Sequence, residues 1–578
     1  MADTTGSPRP ADARNHAFTE DTPSLIVFVT GIGQSFSYLF PKKLLRPGAF
    51  KRGALGDYEN YAPLVEEEKE LSSWNLFAFN AKEGLRTHAG RRALAGAAVS
   101  LVGSALTKKN RLSDKTAGGL VRAFFALNRI DANGDADPRV ITPRYPVPFS
   151  RYPAAKRADG QVFSRAKWRF YRSVPCEDAA EEALGKAYED YLYCFNYRPC
   201  TFTSRNVEEL HAFIETALKE NTVGADKVVL VPMSMGASVV SAYLARYPDP
   251  ADHHVRRVVS IVGCWRGTGV MASLVDRAFI AEPGDLIEHG LIGQMFGKNA
   301  EERARPLLKI FSADALSGML GAVLHAFVRE IIFPAPSLLA LLPPEKYRAI
   351  RERIEIANAR AEADAYAAAE ESVIARLEAQ QASGVGLSFI SGYGLRYGEA
   401  SPNRGILGLL RGADTANSDE LIEISSTSPG VTAVPPGQRH EPAPGRVLSP
   451  DGSLDLTDAP FADRSWFFLR QKHELEYNNT VLRLALRLAL GQIETVSDCA
   501  DPAKTPYFPQ FNGARNLKDL LRRDLPKVRA YLLDGHTLTP GQETLYHEAE
   551  ALVDVTENDE PREKELLARF ADMAASLG

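Results

Sequence analysis

The segment VVLVPMSMGASVV, Val228 to Val240, sets Ser234 between a run of branched apolar residues and a stretch of small ones. A serine hydroxyl attacks poorly at neutral pH. It needs a base within hydrogen-bond reach, an acid to orient that base, and donors for the negative charge that develops on the substrate oxygen. A turn from a buried strand into a helix would expose Ser234 at the carboxyl edge of a sheet, near the positive end of the helix. The plainer alternative is a structural serine closing a buried strand. Pro232 stands where the G-x-S-x-G pattern has glycine, and proline is tolerated at a strand end because its fixed φ is compatible with extended backbone.

The partners can be sought separately. His473 in RSWFFLRQKHELEYNN follows a strong strand pattern by four residues and precedes a helical pattern through Leu482 to Leu490, where a base is expected. His536 in LLDGHTLTP competes, with Asp534 beside it, but no buried strand leads into it. The acid is expected on the loop after the penultimate strand. Within Ser449 to Asp455 (SPDGSLD), Asp451 in its Pro-Asp-Gly turn is preferred and Asp455 is the alternative. Asp-Gly turns also arise for conformational reasons alone. Ser234, Asp451 and His473 then run in the order Ser, Asp, His. Oxyanion donors are expected from the N–H of Ile32, in the loop TGIGQS, and from the N–H of Met235. That loop lacks the third glycine of G-x-G-x-x-G, so a dinucleotide site is a poor fit.

Positioning such groups takes a sheet whose strands end together. Continuous apolar runs at Ser24 to Thr30, Tyr191 to Phe195, Lys227 to Val231, Val258 to Val262, Val385 to Ile390 and Ser465 to Leu469 read as strands buried on both faces. Helical patterns at Asn206 to Lys219 and Ala237 to Arg246 alternate with them, which predicts an α/β fold with a doubly wound, mainly parallel sheet. The expected organisation is a disordered leader over 1–23, one domain over 24–499, and a helical appendage over 500–578. Two insertions interrupt the domain, at about 264–384 and 395–448, the second a loop-rich stretch with PPGQRHEPAPG as a linker-like surface loop. The first contains Arg348 to Gln381, read as a solvated helix or helical hairpin.

Composition narrows the function. With 45% hydrophobic and 24% charged residues and a net charge of -5, the 578-residue chain reads as an ordinary globular protein with no electrostatic case for nucleic acid. The polar start lacks an apolar signal core and five cysteines lack metal spacing, so a cytoplasmic protein with free thiols is expected. Ala93 to Leu106 is too short, and Asp314 to Pro344 too interrupted, to read as membrane spans; both leave open an interfacial role, with peripheral membrane contact, or a substrate-covering one.

In order along the chain, several motifs resemble the lecithin:cholesterol acyltransferase family of α/β-hydrolases, which includes phospholipid:diacylglycerol acyltransferases and related phospholipases. SLIVFVTGIGQS is similar to its opening strand and oxyanion loop, with Thr30 where histidine is usual. DYLYCFNYRPC, Asp190 to Cys200, resembles its aromatic, Asp, Trp, Arg segment, here Asn196-Tyr197-Arg198. VVLVPMSMGASVV resembles the nucleophile turn, VVSIVGCWRGTG the next strand and the loop bordering the acyl pocket, and FPAPSLLALLPP, Phe333 to Pro344, the lid. SPDGSLDL and KHELEYNN resemble the acid and histidine segments. The likeness spans roughly Ser24 to Gly491.

The resemblance implies an α/β-hydrolase fold and a serine-dependent lipid acyl-ester hydrolase or O-acyltransferase, its substrate a lipid or other acyl ester. Trp265, Phe333, Leu338 and Leu341 become candidates for the wall of an acyl-chain site, with ordinary core packing as the alternative. No metal or redox cofactor is implied. The replacements at Thr30 and Pro232 motivate a second expectation, a hydrolase-like protein that binds or scaffolds at lipid surfaces.

Overall fold

A computed structural model describes the chain chiefly over residues 22–39, 81–152, 162–276, 310–397, 416–501 and 507–512, with shorter stretches elsewhere. Most of the expected leader, residues 277–309 of the first insertion and 398–415 of the second lie outside the described residues. Phe18 and Thr19, inside that expected leader, are placed. Phe18 packs 5.6 Å from the Tyr191 ring, and Thr19 N–H donates to Leu490 O.

Seven strands form one sheet: β1 (Ser24–Val29), β2 (Leu192–Phe195), β3 (Lys227–Pro232), β4 (Val255–Ile261), β5 (Gly386–Tyr393), β6 (Ser465–Leu469) and β7 (Phe511–Asn512). Their order is β7-β6-β5-β4-β3-β1-β2 and every pairing is parallel. Alternate side chains of a strand face opposite ways. On β1, Leu25, Val27 and Val29 enter one apolar core while Ile26 and Phe28 enter another; on β3, Val228 and Leu230 oppose Val229 and Val231 in the same manner. A sheet with two dry faces needs continuous apolar strands, which is why these runs carry no polar alternation.

Helices cover both faces. On the first pack α1 (Thr203–Glu220) and α2 (Gly236–Arg246); on the second pack Glu177–Leu184 and α3 (Asn479–Ala489). From β1 the chain moves to one edge at β2, then returns to β3 on the other side of β1. Connections thus leave β1 and β3 in opposite directions, and a crevice is expected beyond their carboxyl ends.

Three expectations change. Arg348 to Gln381 is no solvated hairpin: helices Ala357–Glu371 and Val373–Ala382 bury Ala359, Ala363, Tyr366, Ala367, Val373 and Leu377, and the first lies on α1 and α2. Alanine is small enough to let helix axes approach, so a charge-rich composition concealed a packed face. The domain does not stop at 499 either, since β7 pairs with β6. The stretch ahead of β6 is more structured than a loop, with a hairpin of Thr432–Ala433 against Leu454–Asp455. Beyond residue 512, Leu525, Val528, Leu545, Ala549 and Phe570 form a small separate apolar cluster. The five cysteines are buried and free. Among the described residues one helical run, Asp314–Ile332, is long and apolar enough to cross a membrane, and half of it is buried inside the protein.

Candidate functional site

Pro232 is the last residue of β3, in register with Val29. Beyond it the chain turns sharply: Ser234 has φ of +50°, and Gly236 N–H returns to Met233 O at 2.7 Å. A left-handed conformation is costly for serine, roughly 1 to 2 kcal/mol. It is held by neighbours. Ser234 N–H donates to Ile261 O at 3.3 Å, and Ser234 O accepts from Ala237 N–H at 3.1 Å and Cys264 N–H at 2.9 Å. A Cβ on Gly236 would lie 2.3 Å from Val29 O, so only glycine lets α2 start this close to β1.

The strain is not confined to the serine. Six non-glycine residues have positive φ among the described residues, and four cluster at this end of the sheet: Ser234, Val262 just after β4, Glu420, and Arg470 just after β6. Positive φ in a β-branched residue such as Val262 is a genuine outlier. Backbone held in such regions by its surroundings is a mark of functional sites.

The loop after β6 brings His473 to Ser234. Nε2 of His473 lies 2.8 Å from Ser234 Oγ, and Nδ1 lies 2.8 Å from Asp419 Oδ2. The acid is therefore Asp419, correcting the expectation of Asp451. Asp419 is fully buried on the loop that follows β5, and its Oδ1 accepts the N–H groups of Leu421 (3.0 Å) and Ile422 (2.8 Å). Glycine at 392, on β5, allows the acid and base loops to meet, since a Cβ there would touch Gln471 O at 2.7 Å and Asp419 Cβ at 3.0 Å. Asp451 instead closes its own turn, accepting from Ser449 Oγ at 2.6 Å and Ser453 Oγ at 2.8 Å. Asp455 accepts from Thr457 and pairs with Arg446 at 3.2 Å. Both carboxylates of the Pro-Asp-Gly segment are spent on the hairpin. His536 stacks 4.4 Å from Tyr531, with no part in this cluster.

The loop after β1 completes the site. A Cβ on Gly31 would come within 3.0 Å of Ser234 Cβ, so this loop runs directly past the serine. The N–H groups of Ile32 and Met235 make no hydrogen bond among the described residues, leaving both free to donate. Gly31 N–H donates to Gln34 Oε1 at 2.8 Å, and Gln34 Nε2 donates to Glu476 Oε1 at 2.7 Å, three residues beyond His473. Gln34 thus ties the glycine loop to the histidine loop. Neither Gln34 nor Glu476 stands out in the sequence. At the loop's far end, Asn196 accepts from Phe36 N–H at 3.1 Å and donates to Phe36 O at 2.8 Å. Thr30 Oγ1 lies 2.9 Å from Ser35 Oγ.

Electrostatics favour charge on the imidazole. Burial pushes His473 down, but the Asp419 carboxylate, joined by the charges of Glu476 and Glu474, outweighs it and holds the group up at about 9. Burial lifts the Glu476 carboxyl to about 8 against the opposing pull of His473. Such an arrangement can pass a proton between the Ser234 hydroxyl and His473 and stabilise the imidazolium through Asp419.

The four expected wall residues are all buried, in one apolar cluster. Trp265 is fully buried, donates from Nε1 to Ser260 Oγ at 3.0 Å and meets the Phe389 ring edge-on. Phe333, Leu338 and Leu341 share its apolar cluster with Met235, and Leu341 O accepts Thr268 N–H at 2.9 Å. No protein-family model matches this chain, and no curated protein matches it significantly.

Proposed function

We propose that the chain is a serine-dependent acyl-ester hydrolase or O-acyltransferase built on an α/β-hydrolase fold, acting on lipid esters through an acyl-enzyme. The observation that carries this reading is the continuous relay Ser234 Oγ, His473 Nε2, His473 Nδ1, Asp419 Oδ2, with 2.8 Å at each contact. The strained turn under Ser234 and the two free N–H groups support it.

In this mechanism Ser234 Oγ bonds to the ester carbonyl carbon while its proton passes to His473 Nε2. The negative charge on the carbonyl oxygen is met by Ile32 N–H and Met235 N–H. Collapse breaks the bond to the leaving alcohol, which takes the proton back from His473. Water or a second alcohol then attacks the acyl-serine by the same steps reversed. Asp419 keeps the imidazole tautomer with Nδ1–H toward itself. The lipid character of the substrate rests on the family resemblance, with the apolar segment from Phe333 to Leu342, which shares a cluster with Met235, as the candidate acyl-chain wall.

Hydrolysis of p-nitrophenyl acyl esters of increasing chain length tests this. Turnover by the wild type that disappears in Ser234→Ala is expected; turnover unchanged in that variant would refute the reading.

A further inference from the structure

The helix His88–Thr107 is turned inside out for a soluble protein. Its buried residues are Gly90, Ala97 and Ser104, a small-residue stripe seven apart that packs against the helix Asp114–Phe124. Its large residues face outward: Val99 is 74% exposed, Val102 61% and Leu106 79%, with Leu94 and Leu101 beside them. Of the eleven exposed large apolar side chains among the described residues, six lie between Leu85 and Leu106. A seventh, Ile310, lies near the end of this helix, where its carbonyl accepts from Lys108 Nζ at 2.8 Å. Contiguous exposed apolar area of this kind marks an interaction surface.

Charge identifies what the surface meets. Between Glu83 and Asp114 the sequence has no acidic residue and six cations, Arg86, Arg91, Arg92, Lys108, Lys109 and Arg111, in a chain of net charge -5. They stand at the two ends of the apolar stretch. Arg91 donates to the Leu85 and Arg86 carbonyls, and Arg111 Nε lies 3.4 Å from the Thr107 hydroxyl, all of them neutral acceptors. A helix of this length runs about 30 Å. Its exposed face is aliphatic and small, with cations at both ends and few groups that could form directed hydrogen bonds with a protein partner. Those are the properties of a helix that lies in the headgroup plane of an anionic bilayer, apolar face down.

We infer that His88–Thr107 is a docking surface for anionic phospholipid membranes. This inference concerns binding and does not require the chemistry proposed for Ser234. The connection to the site is structural: Asp114–Phe124 also packs on Ala313–Phe327, which leads through Val328–Ile332 to Phe333, a member of the apolar cluster that holds Met235.

The test is co-sedimentation of the full chain with phosphatidylcholine vesicles, with and without phosphatidylglycerol. Wild type is expected to bind the phosphatidylglycerol vesicles, more weakly as salt is raised. Val99→Asp combined with Val102→Asp is expected to lower binding at least tenfold, as is Lys108→Glu combined with Lys109→Glu, both with an unchanged circular dichroism spectrum. In Val102→Trp the tryptophan emission is expected to shift to shorter wavelength on vesicle addition. Ser234→Ala is expected to bind as wild type does, which separates failure here from failure of the proposed chemistry. Equal vesicle binding by wild type and Val99→Asp/Val102→Asp overturns the inference. Absence of vesicle binding also overturns it, including the case where those substitutions instead abolish self-association, which would assign the face to a second copy of the chain.

Discussion

Asp419 Oδ2 stands 2.8 Å from His473 Nδ1 although the two residues are 54 positions apart, and Asp419 is fully buried. A buried carboxylate in this contact fixes both the tautomer and the orientation of the imidazole. Asp419→Asn is expected to lower ester turnover by roughly 10³–10⁴-fold, the scale set by removing the orienting acid of a serine triad. Asp451→Asn disturbs only its own hairpin and is expected to leave kcat within a few-fold of wild type. Comparing kcat for the two variants checks the assignment; similar losses in both would contradict it.

The pH dependence follows from His473. Its group is held at about 9, above its ordinary 6.5, because burial, which lowers it, is outweighed by the charge and hydrogen bond of Asp419 together with the charges of Glu476 and Glu474. Only the neutral imidazole accepts the serine proton, so kcat/KM is expected to rise with pH along a limb near 9. A raised folded-state value also means that this group stabilises the fold fully below about 6.5, and that the contribution is lost as pH rises through about 9. A pH series of activity and thermal unfolding measures both. In Asp419→Asn the limb is expected to move to lower pH.

Glu476 allows a finer test. Its carboxyl titrates near 8, it holds Gln34 through a 2.7 Å hydrogen bond, and its charge helps to raise His473. Glu476→Gln keeps an acceptor for Gln34 and removes the charge, so the kcat/KM limb is expected to fall to lower pH while maximal kcat is preserved. Gln34→Ala frees the Gly31 N–H and unties the glycine loop. It is expected to lower kcat by about 10- to 100-fold, below the loss for deleting an oxyanion donor outright, with KM little changed.

Strain at Ser234 predicts a trade between stability and turnover. At φ of +50° glycine is at ease and alanine is not. Ser234→Gly and Ser234→Ala are both expected to be inactive, with the glycine variant more stable by about 1 kcal/mol. Chemical denaturation of the two variants decides this; equal stabilities would mean that the turn is unstrained.

Much of this arrangement was legible from the sequence because it rests on buried backbone. Parallel strands covered on both faces leave continuous apolar runs, and the ends of β3 and β6 lead directly to Ser234 and His473. Asp419 was hidden for a physical reason. The connection between β5 and β6 carries several carboxylates, and Asp451 sits in the more conspicuous turn, Pro-Asp-Gly. Asp419 is held instead by a turn with positive φ at Glu420, a residue type that gives no warning of it. The Gln34 to Glu476 contact is equally silent, since it joins side chains 442 positions apart. Helices Ala357–Glu371 and Val373–Ala382 misled in the other direction, because alanine buries well without a strong apolar periodicity.

The proposed chemistry makes Ser234 a nucleophile activated by His473 and Asp419. Labelling with a fluorophosphonate, followed by peptide mapping and rate measurement, tests it most directly. A single phosphonylated residue, Ser234, is expected, with labelling slowed at least a hundredfold in Asp419→Asn and unchanged in Asp451→Asn. An unlabelled Ser234 in folded protein, or labelling as fast in Asp419→Asn as in wild type, would contradict it.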